Sequence, residues 1–192
     1  MICSGEGGSN EMKTIQERAR KIRMLLLDVD GVMTDGGILL GPEDIEMKRF
    51  HGHDGIGIAL AKAAGLLIGI LTGRDSEAVR KRAKELKIDE VQQGTFHKEK
   101  GFDAILKRRG LKDEEIAYMG DDLLDIPILK RAGLSICVSN GVEEAKKVSH
   151  YVTKKKGGEG AVREAVEMIL TRKGKKKEAI LSLLSWPKER GE

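Results

Sequence analysis

The chain has 192 residues, the size of one domain with a substantial core. Aromatic residues make up only 3% of it, so the core is expected to be aliphatic, and the 34% of charged residues is compatible with ion-pair networks. The formal net charge is +4, but seven Lys or Arg and three Glu lie from Thr171 onward, which leaves 28 charges of each sign in residues 1–170. The basic excess therefore belongs to a tail and does not indicate a nucleic-acid-binding face.

Three further features bear on the compartment. No apolar segment reaches membrane-spanning length, and residues 1–10 are too polar for a signal peptide. The two cysteines, Cys3 and Cys137, suit a reducing environment, and Cys137 lies in an apolar run as a core residue would. We therefore expect a cytoplasmic protein with neither a membrane nor a nucleic acid as its partner.

The first part of the chain contains a lead-in, a strand and a hairpin. Residues 1–12 are expected to be disordered, and residues 12–23 form a charged segment compatible with a helix. Met24 to Val29 is continuously aliphatic, as in a strand covered on both faces. Residues 38–40 and 45–50 flank Gly41-Pro42-Glu43-Asp44, a turn with Pro at its second position, which predicts a β-hairpin.

Strands and helices then alternate as far as residue 170, and glycines close several of the helices. The predicted strands are Leu66–Leu71, a short one near Val91, Ile116–Met119, Leu134–Val138 and Tyr151–Val152. The predicted helices are Ile56–Ala64, Asp75 or Ser76 to Lys87, Lys98–Arg109, one opening at Asp125-Ile126-Pro127, Val142–Lys147 and Ala161–Leu170. This order predicts an α/β fold, a doubly wound parallel sheet with a small β-hairpin flap, over residues 13–172, followed by a basic tail over residues 173–192.

Polar side chains follow three of the predicted strands. They are Asp28-Val29-Asp30, Thr72-Gly73-Arg74 and Gly120-Asp121-Asp122. Ligands of open parallel sheets bind beyond the carboxyl ends of the strands, so these segments are expected to converge on one site.

The pair Asp28 and Asp30 is the strongest local signal. Residues i and i+2 of a strand point to the same side, so both carboxylates project together while Val29 faces away. Two such acids favour a divalent cation, and one of them could act as a nucleophile. The simpler interpretation of Asp-x-Asp-Gly alone is a polar strand end with an Asp-Gly turn.

Two other patterns have competing interpretations. His51 and His53 have a spacing that could ligate zinc, but no cysteine or carboxylate cluster beyond Asp54 accompanies them, so a polar lining of a substrate entrance is favoured. Gly55-Ile56-Gly57 and Gly157-Gly158-Glu159-Gly160 suggest dinucleotide loops, yet neither has the full glycine pattern.

Four motifs in chain order resemble those of the haloacid dehalogenase superfamily of phosphotransferases. They are Asp28-Val29-Asp30-Gly31-Val32, a segment centred on Thr72, a lysine matched by Lys98 with Lys100 as the rival, and Gly120-Asp121-Asp122 with Asp125. The resemblance covers roughly residues 24–170. It implies that Asp28 attacks phosphorus, that Asp30 exchanges protons with the leaving group and with water, and that Thr72 and Lys98 hold the phosphoryl oxygens.

The same resemblance implies a magnesium ion. Its ligands would be the carboxylates of Asp28 and Asp121 and the backbone carbonyl of Asp30, together with phosphate and water. Asp122 and Asp125 would orient a metal-bound water or Lys98.

Within this superfamily the chain resembles the branch that has no cap domain, because only the hairpin lies between the first two motifs. Three stretches, residues 28–36, Phe50 with residues 54–58, and residues 157–164, resemble the family of 3-deoxy-D-manno-octulosonate 8-phosphate phosphatases. That resemblance implies a sugar-acid phosphate as substrate, a role in lipopolysaccharide precursor synthesis, and a homotetramer in which a neighbouring subunit closes each site.

Four residues are expected to bind the substrate: Arg74, Gly73, His53 and Phe50. Arg74 follows Thr72 by two residues and could meet the carboxylate of a sugar acid, although a surface pair with Asp75 or Glu77 remains the alternative.

Other functions stay open at this point. A nine-carbon sugar-acid phosphate or another small phosphate monoester could be the substrate. Relatives fused to sugar-acid cytidylyltransferases suggest a non-catalytic oligomerisation module, although such a module would not need Asp28, Asp30, Thr72, Lys98 and Asp121. A receiver domain also uses an aspartyl phosphate, but it does not explain Asp28 and Asp30 together before Gly31.

Overall fold

The computed structural model describes residues 15–42 and 45–185. The strands in this part of the chain are β1 (Met24–Leu27), β2 (Leu39–Leu40), β3 (Glu46–Met47), β4 (Leu67–Leu71), β5 (Glu90–Gln92), β6 (Ile116–Gly120), β7 (Leu134–Cys137) and β8 (Tyr151–Val152). The helices are α1 (described over residues 15–21), α2 (Gly52–Ala63), α3 (Glu77–Glu85), α4 (Lys98–Arg109), α5 (Ile126–Arg131), α6 (Glu143–Lys147), α7 (Ala161–Arg172) and α8 (Lys176–Leu184). The predicted disorder of residues 1–12, Cys3 and part of the predicted turn at residues 41–44 lie outside the described residues.

Six of the strands form one parallel sheet in the order β5-β4-β1-β6-β7-β8, and β2 and β3 form a separate antiparallel hairpin. The predicted doubly wound sheet with a hairpin is therefore confirmed. The strand order reverses at β1, whose Leu27 pairs with Ile70 of β4 and Met119 of β6. The segments that follow β1, β4 and β6 consequently meet at one edge, where doubly wound sheets bind their ligands.

Aliphatic side chains cover both faces of the sheet, as the composition predicts. Alternate residues of β1 enter opposite layers, with Leu25 and Leu27 in one and Met24 and Leu26 in the other, and all four are fully buried. Tyr118 and Phe102 are the largest buried side chains, and both belong to the second layer. This tight packing gives the site a rigid base.

Helix α2 begins at Gly52, four residues before the predicted start. The glycines at positions 55 and 57 lower helix propensity, which is why the pattern favoured a later start. Their small size serves packing instead, because a Cβ on Gly57 would lie only 2.8 Å from the Cα of Arg163 in α7.

The predicted tail begins with residues that pack on the domain. The ammonium of Lys173 donates hydrogen bonds to the carbonyls of Arg20 and Ile22, both at 2.8 Å, at the end of α1. Ala179 of α8 is buried in the core. The boundary at residues 172 and 173 remains a prediction, and residues 186–192 lie outside the described part.

None of the described helices is long and apolar enough to cross a membrane.

Candidate active site

The chain turns sharply after β1 and places Asp28 at the edge of the sheet. The backbone N–H groups of Val32, Met33 and Thr34 all donate to the carbonyl of Val29, at 3.2, 2.9 and 3.1 Å. This turn explains why β1 ends at Leu27, two residues before the predicted end. Gly31 has φ +86°, and a Cβ there would overlap the carboxylate of Asp121, so only glycine lets the loop after β6 approach this closely.

Three carboxylates meet at this point. Asp28, Asp121 and Asp125 each offer an oxygen that lies within 4.8 Å of the other two, and they form the only such group among the described residues. Burial raises the pKa of Asp28 to about 7, with Asp125 adding to the effect and Lys98 opposing it. Burial and the charge of Asp28 raise the pKa of Asp121 to about 8. Both shifts come from holding carboxylates close together in a buried place, an arrangement that a divalent cation would stabilise.

Lys98 opens α4 and is buried beneath these acids. Its Nζ lies 2.9 Å from Oδ2 of Asp28 and 2.6 Å from Oδ1 of Asp125. Burial alone would lower the pKa of Lys98, but the charges of Asp28 and Asp125 outweigh it and raise the pKa, so the ammonium stays protonated. Lys100 is exposed, and the geometry therefore favours Lys98 of the two candidate lysines.

Asp125 is fully buried and its oxygens are occupied by the protein. Its Oδ1 accepts from Lys98 and, at 2.5 Å, from the hydroxyl of Tyr118. Its Oδ2 accepts from the backbone N–H groups of Asp121 at 2.9 Å and Asp122 at 3.1 Å. Asp125 thus orients Lys98 and the loop after β6, and Asp28 and Asp121 remain as the carboxylates with space for a cation.

The segment after β4 completes a cavity of about 260 Å³ above the acids. Thr72 is buried and is held by a 3.0 Å hydrogen bond from its N–H to the carbonyl of Gln92. The cavity is lined by Asp28, Asp30, Thr72, Gly73, Arg74, Phe96, Lys98, Asp121, Asp122, Leu124 and Asp125. Nine of these eleven residues are site residues predicted from the sequence, while Phe96 and Leu124 were not anticipated. The side chain of Asp122 accepts from the N–H of Leu123 at 2.6 Å and starts the turn that leads to Asp125.

Two residues of the hairpin reach the site, and the sequence analysis missed both. The ammonium of Lys48 contacts the carboxylate of Asp30 and lies 3.0 Å from Oε1 of Glu46. Arg74 lies 3.2 Å from Glu46 and 3.9 Å from Asp30. The available signal was the i, i+2 spacing of Glu46 in β3 and Lys48 just after it, which places both on the same side of an extended chain.

Two predicted substrate-binding residues do not line this cavity. Phe50 packs against the core, with the guanidinium of Arg82 5.7 Å from its ring centroid. His53 is exposed and makes an edge-on contact with His51, their ring centroids 5.1 Å apart, at a different groove between α2 and α7. Among the described residues, these histidines belong to no group of three His, Cys, Asp or Glu side chains whose ligand atoms lie within 4.8 Å of one another, so the zinc interpretation gains no support.

The glycine-rich segment at residues 157–160 packs against the loop that follows β1. The N–H of Gly158 donates to the carbonyl of Val32 at 3.1 Å, and a Cβ on Gly157 would overlap the carbonyl of Gly31. Asp54 in α2 accepts a 2.8 Å hydrogen bond from the N–H of Arg163 and so caps α7. These contacts give the second glycine stretch a structural role.

The fold and the acidic site are those of a haloacid dehalogenase-like hydrolase, and a family model with that description matches residues 90–165. The chain is 37% identical to the structure of a hydrolase of this superfamily, subfamily III A, from Legionella pneumophila. The match has a TM-score of 0.90 and covers 92% of this chain and 97% of the other.

Closer functional descriptions come from two other proteins. The 3-deoxy-D-manno-octulosonate 8-phosphate phosphatase KdsC of Escherichia coli (strain B / BL21-DE3) is 38% identical over 165 residues, which are 86% of this chain and 88% of the relative. The same phosphatase from Moraxella catarrhalis, solved with magnesium, phosphate and 3-deoxy-D-manno-octulosonate, is 39% identical with a TM-score of 0.86, and the match covers 89% of this chain and 98% of that one. The chain belongs to this phosphatase family within the haloacid dehalogenase superfamily.

Proposed function

We propose that this chain is a magnesium-dependent phosphatase that hydrolyses 3-deoxy-D-manno-octulosonate 8-phosphate in the synthesis of lipopolysaccharide precursors. The observation that carries the proposal is the contact of Lys98 with Asp28, 2.9 Å apart, beside Asp121 at the converging strand ends. The family membership supports the choice of substrate.

The side chains suit a two-step transfer through an aspartyl phosphate. In the first step an oxygen of Asp28 attacks phosphorus, the bond from phosphorus to the sugar oxygen breaks, and Asp30 gives that oxygen a proton. In the second step water attacks the same phosphorus, Asp30 takes the proton of the water, and phosphate leaves as Asp28 is restored. Thr72 and Lys98 donate hydrogen bonds to the phosphoryl oxygens, where negative charge is redistributed.

The residues present fit a magnesium ion. The carboxylates of Asp28 and Asp121 and the backbone carbonyl of Asp30 would hold it, an all-oxygen set of the kind Mg²⁺ prefers. The raised pKa values of Asp28 and Asp121 support this assignment, because a bound cation would favour the ionised form of both acids and offset the repulsion between them. When bound, the ion offsets the negative charge of the phosphoryl group and of the carboxylates around it.

Arg74 is proposed to recognise the carboxylate of the sugar acid. Its side chain lines the cavity and is 43% exposed, so its guanidinium can reach a ligand. Arg74 lies beside Glu46 and Asp30, whereas Asp75 and Glu77, its alternative partners, contact Arg80. Gly73 would admit the substrate next to Arg74, and His53 and Phe50 could contribute to binding only from outside the cavity described above.

A homotetramer and a cytoplasmic location complete the proposal. The hairpin exposes apolar side chains, with Leu40 72% and Ile45 57% exposed, which favours contact with other copies of the chain. The buried and unpaired Cys137 is compatible with a reducing compartment.

A phosphate-release screen tests the function. Purified protein is incubated with eight- and nine-carbon sugar-acid phosphates, hexose phosphates and an aryl phosphate, each with magnesium and with a chelator. We expect the highest kcat/KM with the eight-carbon sugar-acid phosphate and no turnover after chelation. Asp28→Asn, which keeps the side-chain shape but cannot attack phosphorus, should abolish turnover, and substantial activity in that variant would remove Asp28 as the nucleophile.

A further inference from the structure

Lys48 is a buried cation in an element that contributes little to the core. Its side chain is only 1% exposed, although it lies on a hairpin whose two strands have two residues each. Burying an ammonium is unfavourable unless it is paired, and here it contacts the carboxylates of Asp30 and Glu46. Such a buried pair at the mouth of a cavity suggests a role in the chemistry of the site.

The contacts of Lys48 hold one particular carboxylate. Lys48 donates to Oδ1 of Asp30, while Oδ2 of the same group faces Arg74 at 3.9 Å. Glu46 lies between the two cations, 3.0 Å from Lys48 and 3.2 Å from Arg74. Within the described residues, the side-chain hydrogen bond that orients Asp30 therefore comes from the hairpin, 18 residues away in the chain, and not from its own loop.

We propose that Lys48 is a positioning residue that aims the carboxyl group of Asp30 at the leaving-group oxygen. This inference rests on the proposed function, in which Asp30 donates a proton to the departing sugar oxygen. Glu46 keeps Lys48 in place, and Arg74 limits the rotation of Asp30 from the other side. A well-aimed proton donor matters because proton transfer is effective only at hydrogen-bonding distance.

Leaving groups of different basicity provide the test. A 4-nitrophenolate departs readily without a proton, a phenolate less readily, and a sugar alkoxide needs one. We expect Lys48→Met to lower kcat/KM at least about tenfold for phenyl phosphate and less than about threefold for 4-nitrophenyl phosphate. Both substrates are assayed on one protein sample, so any unfolded fraction cancels from the ratio of the two kcat/KM values. If Lys48→Met is insoluble, Lys48→Gln replaces it.

A comparison of Lys48→Met, Asp30→Asn and the double variant provides the second test. If Lys48 acts through Asp30, adding Lys48→Met to Asp30→Asn should cause little further loss with phenyl phosphate. Lys21→Met is the matched control, because Lys21 forms an exposed pair with Glu114 away from the cavity. This control should preserve wild-type kinetics with both substrates.

Three results would distinguish a failure of the role of Lys48 from a failure of the proposed function. Equal losses for the two aryl phosphates, or losses from Lys48→Met and Asp30→Asn that multiply in the double variant, would overturn the role of Lys48 and leave the phosphatase activity standing. A wild-type protein that releases phosphate from neither aryl phosphate nor sugar phosphate would instead refute the proposed function.

Discussion

At the scale of single residues, the raised pKa values of Asp28 and Asp121 make the stability of the fold depend on pH and, in the proposed function, on the metal ion. The ordinary pKa of an aspartate is 3.8, and burial raises the pKa of Asp28 to about 7 and that of Asp121 to about 8. Between the lower and the raised values the folded protein holds protons that the unfolded chain has released. The free energy of unfolding of the metal-free protein should therefore fall as pH rises toward about 8.

Thermal unfolding in chelator and in magnesium, at about pH 6 and about pH 8, checks this prediction. The unfolding temperature in chelator should be lower at the higher pH, and magnesium should raise it more there, because fewer protons compete for the carboxylates. Asp121→Asn should weaken both effects. A metal-free unfolding temperature that rises over this interval would contradict the raised pKa values.

Arg74 gives a second prediction at this scale. A charge-assisted hydrogen bond contributes about 1.5–3 kcal/mol, so Arg74→Ala should lower kcat/KM for the sugar-acid phosphate about ten- to a hundredfold. A hexose phosphate has a similar leaving group but no carboxylate, and it should lose much less. Steady-state kinetics with both substrates measure the difference. Arg80→Ala, which removes an exposed arginine of α3, is the control.

Equal losses for the two sugar phosphates would show that Arg74 serves the phosphoryl group or holds Asp30. The carboxylate would then have to meet another group, and His53 or a neighbouring subunit would be the next candidate to test. The comparison is needed because Arg74 lies 3.9 Å from Asp30, so its removal also changes the surroundings of that carboxylate.

At the scale of elements, the cap that Asp54 provides joins two distant parts of the chain. Asp54 is 3% exposed and accepts from the N–H of Arg163 in the first turn of α7. Asp54→Ala removes this acceptor, and we expect the free energy of unfolding to fall by about 1–2 kcal/mol. Denaturant unfolding measures it. Asp54→Asn keeps an oxygen in the same place and should be clearly less destabilising, whereas equal effects of the two variants would mean that the cap contributes nothing.

The elements also show which features could be predicted from the sequence. Helix α4 runs from Lys98 to Arg109 as predicted, because its end is determined locally by Gly110, which adopts φ +60°. The ends of β4 and β6 lie within one residue of their predicted positions, because the aliphatic run stops there and polar residues follow. The end of β1 was predicted two residues too late, because Val29 continues the aliphatic run although the chain already turns after Leu27.

The contacts of Lys48 could not be predicted in this way. They depend on how the hairpin folds back over the loop after β1. The i, i+2 spacing of Glu46 and Lys48 places both on one side of the chain, but it does not indicate which distant segment that side contacts. The same limitation applies to His53. The spacing of the two histidines was visible, but which groove of the folded protein they line depends on the packing of α2 against α7.

At the scale of the whole molecule, the open cavity and the hairpin favour assembly. Glu46 of β3 and Lys48, which follows this strand, face the site, while Met47 between them points away and is 54% exposed. Leu39 and Leu40 extend this exposed apolar surface on β2. A neighbouring copy that covered this surface would bury its apolar side chains and would also hold Lys48 against Asp30.

We therefore expect a homotetramer whose subunits meet through the hairpins. Light scattering at assay concentration should give the mass of four chains, and Leu40→Asp should shift it to smaller species, because a charge cannot be buried at an apolar contact without a partner. Leu184→Asp changes a comparably exposed leucine of α8 and should leave the mass unchanged. The dissociated Leu40→Asp protein should also hydrolyse the sugar-acid phosphate more slowly, since its hairpin no longer holds Lys48 firmly. A wild-type monomer with full activity would reject both the assembly and its contribution to catalysis.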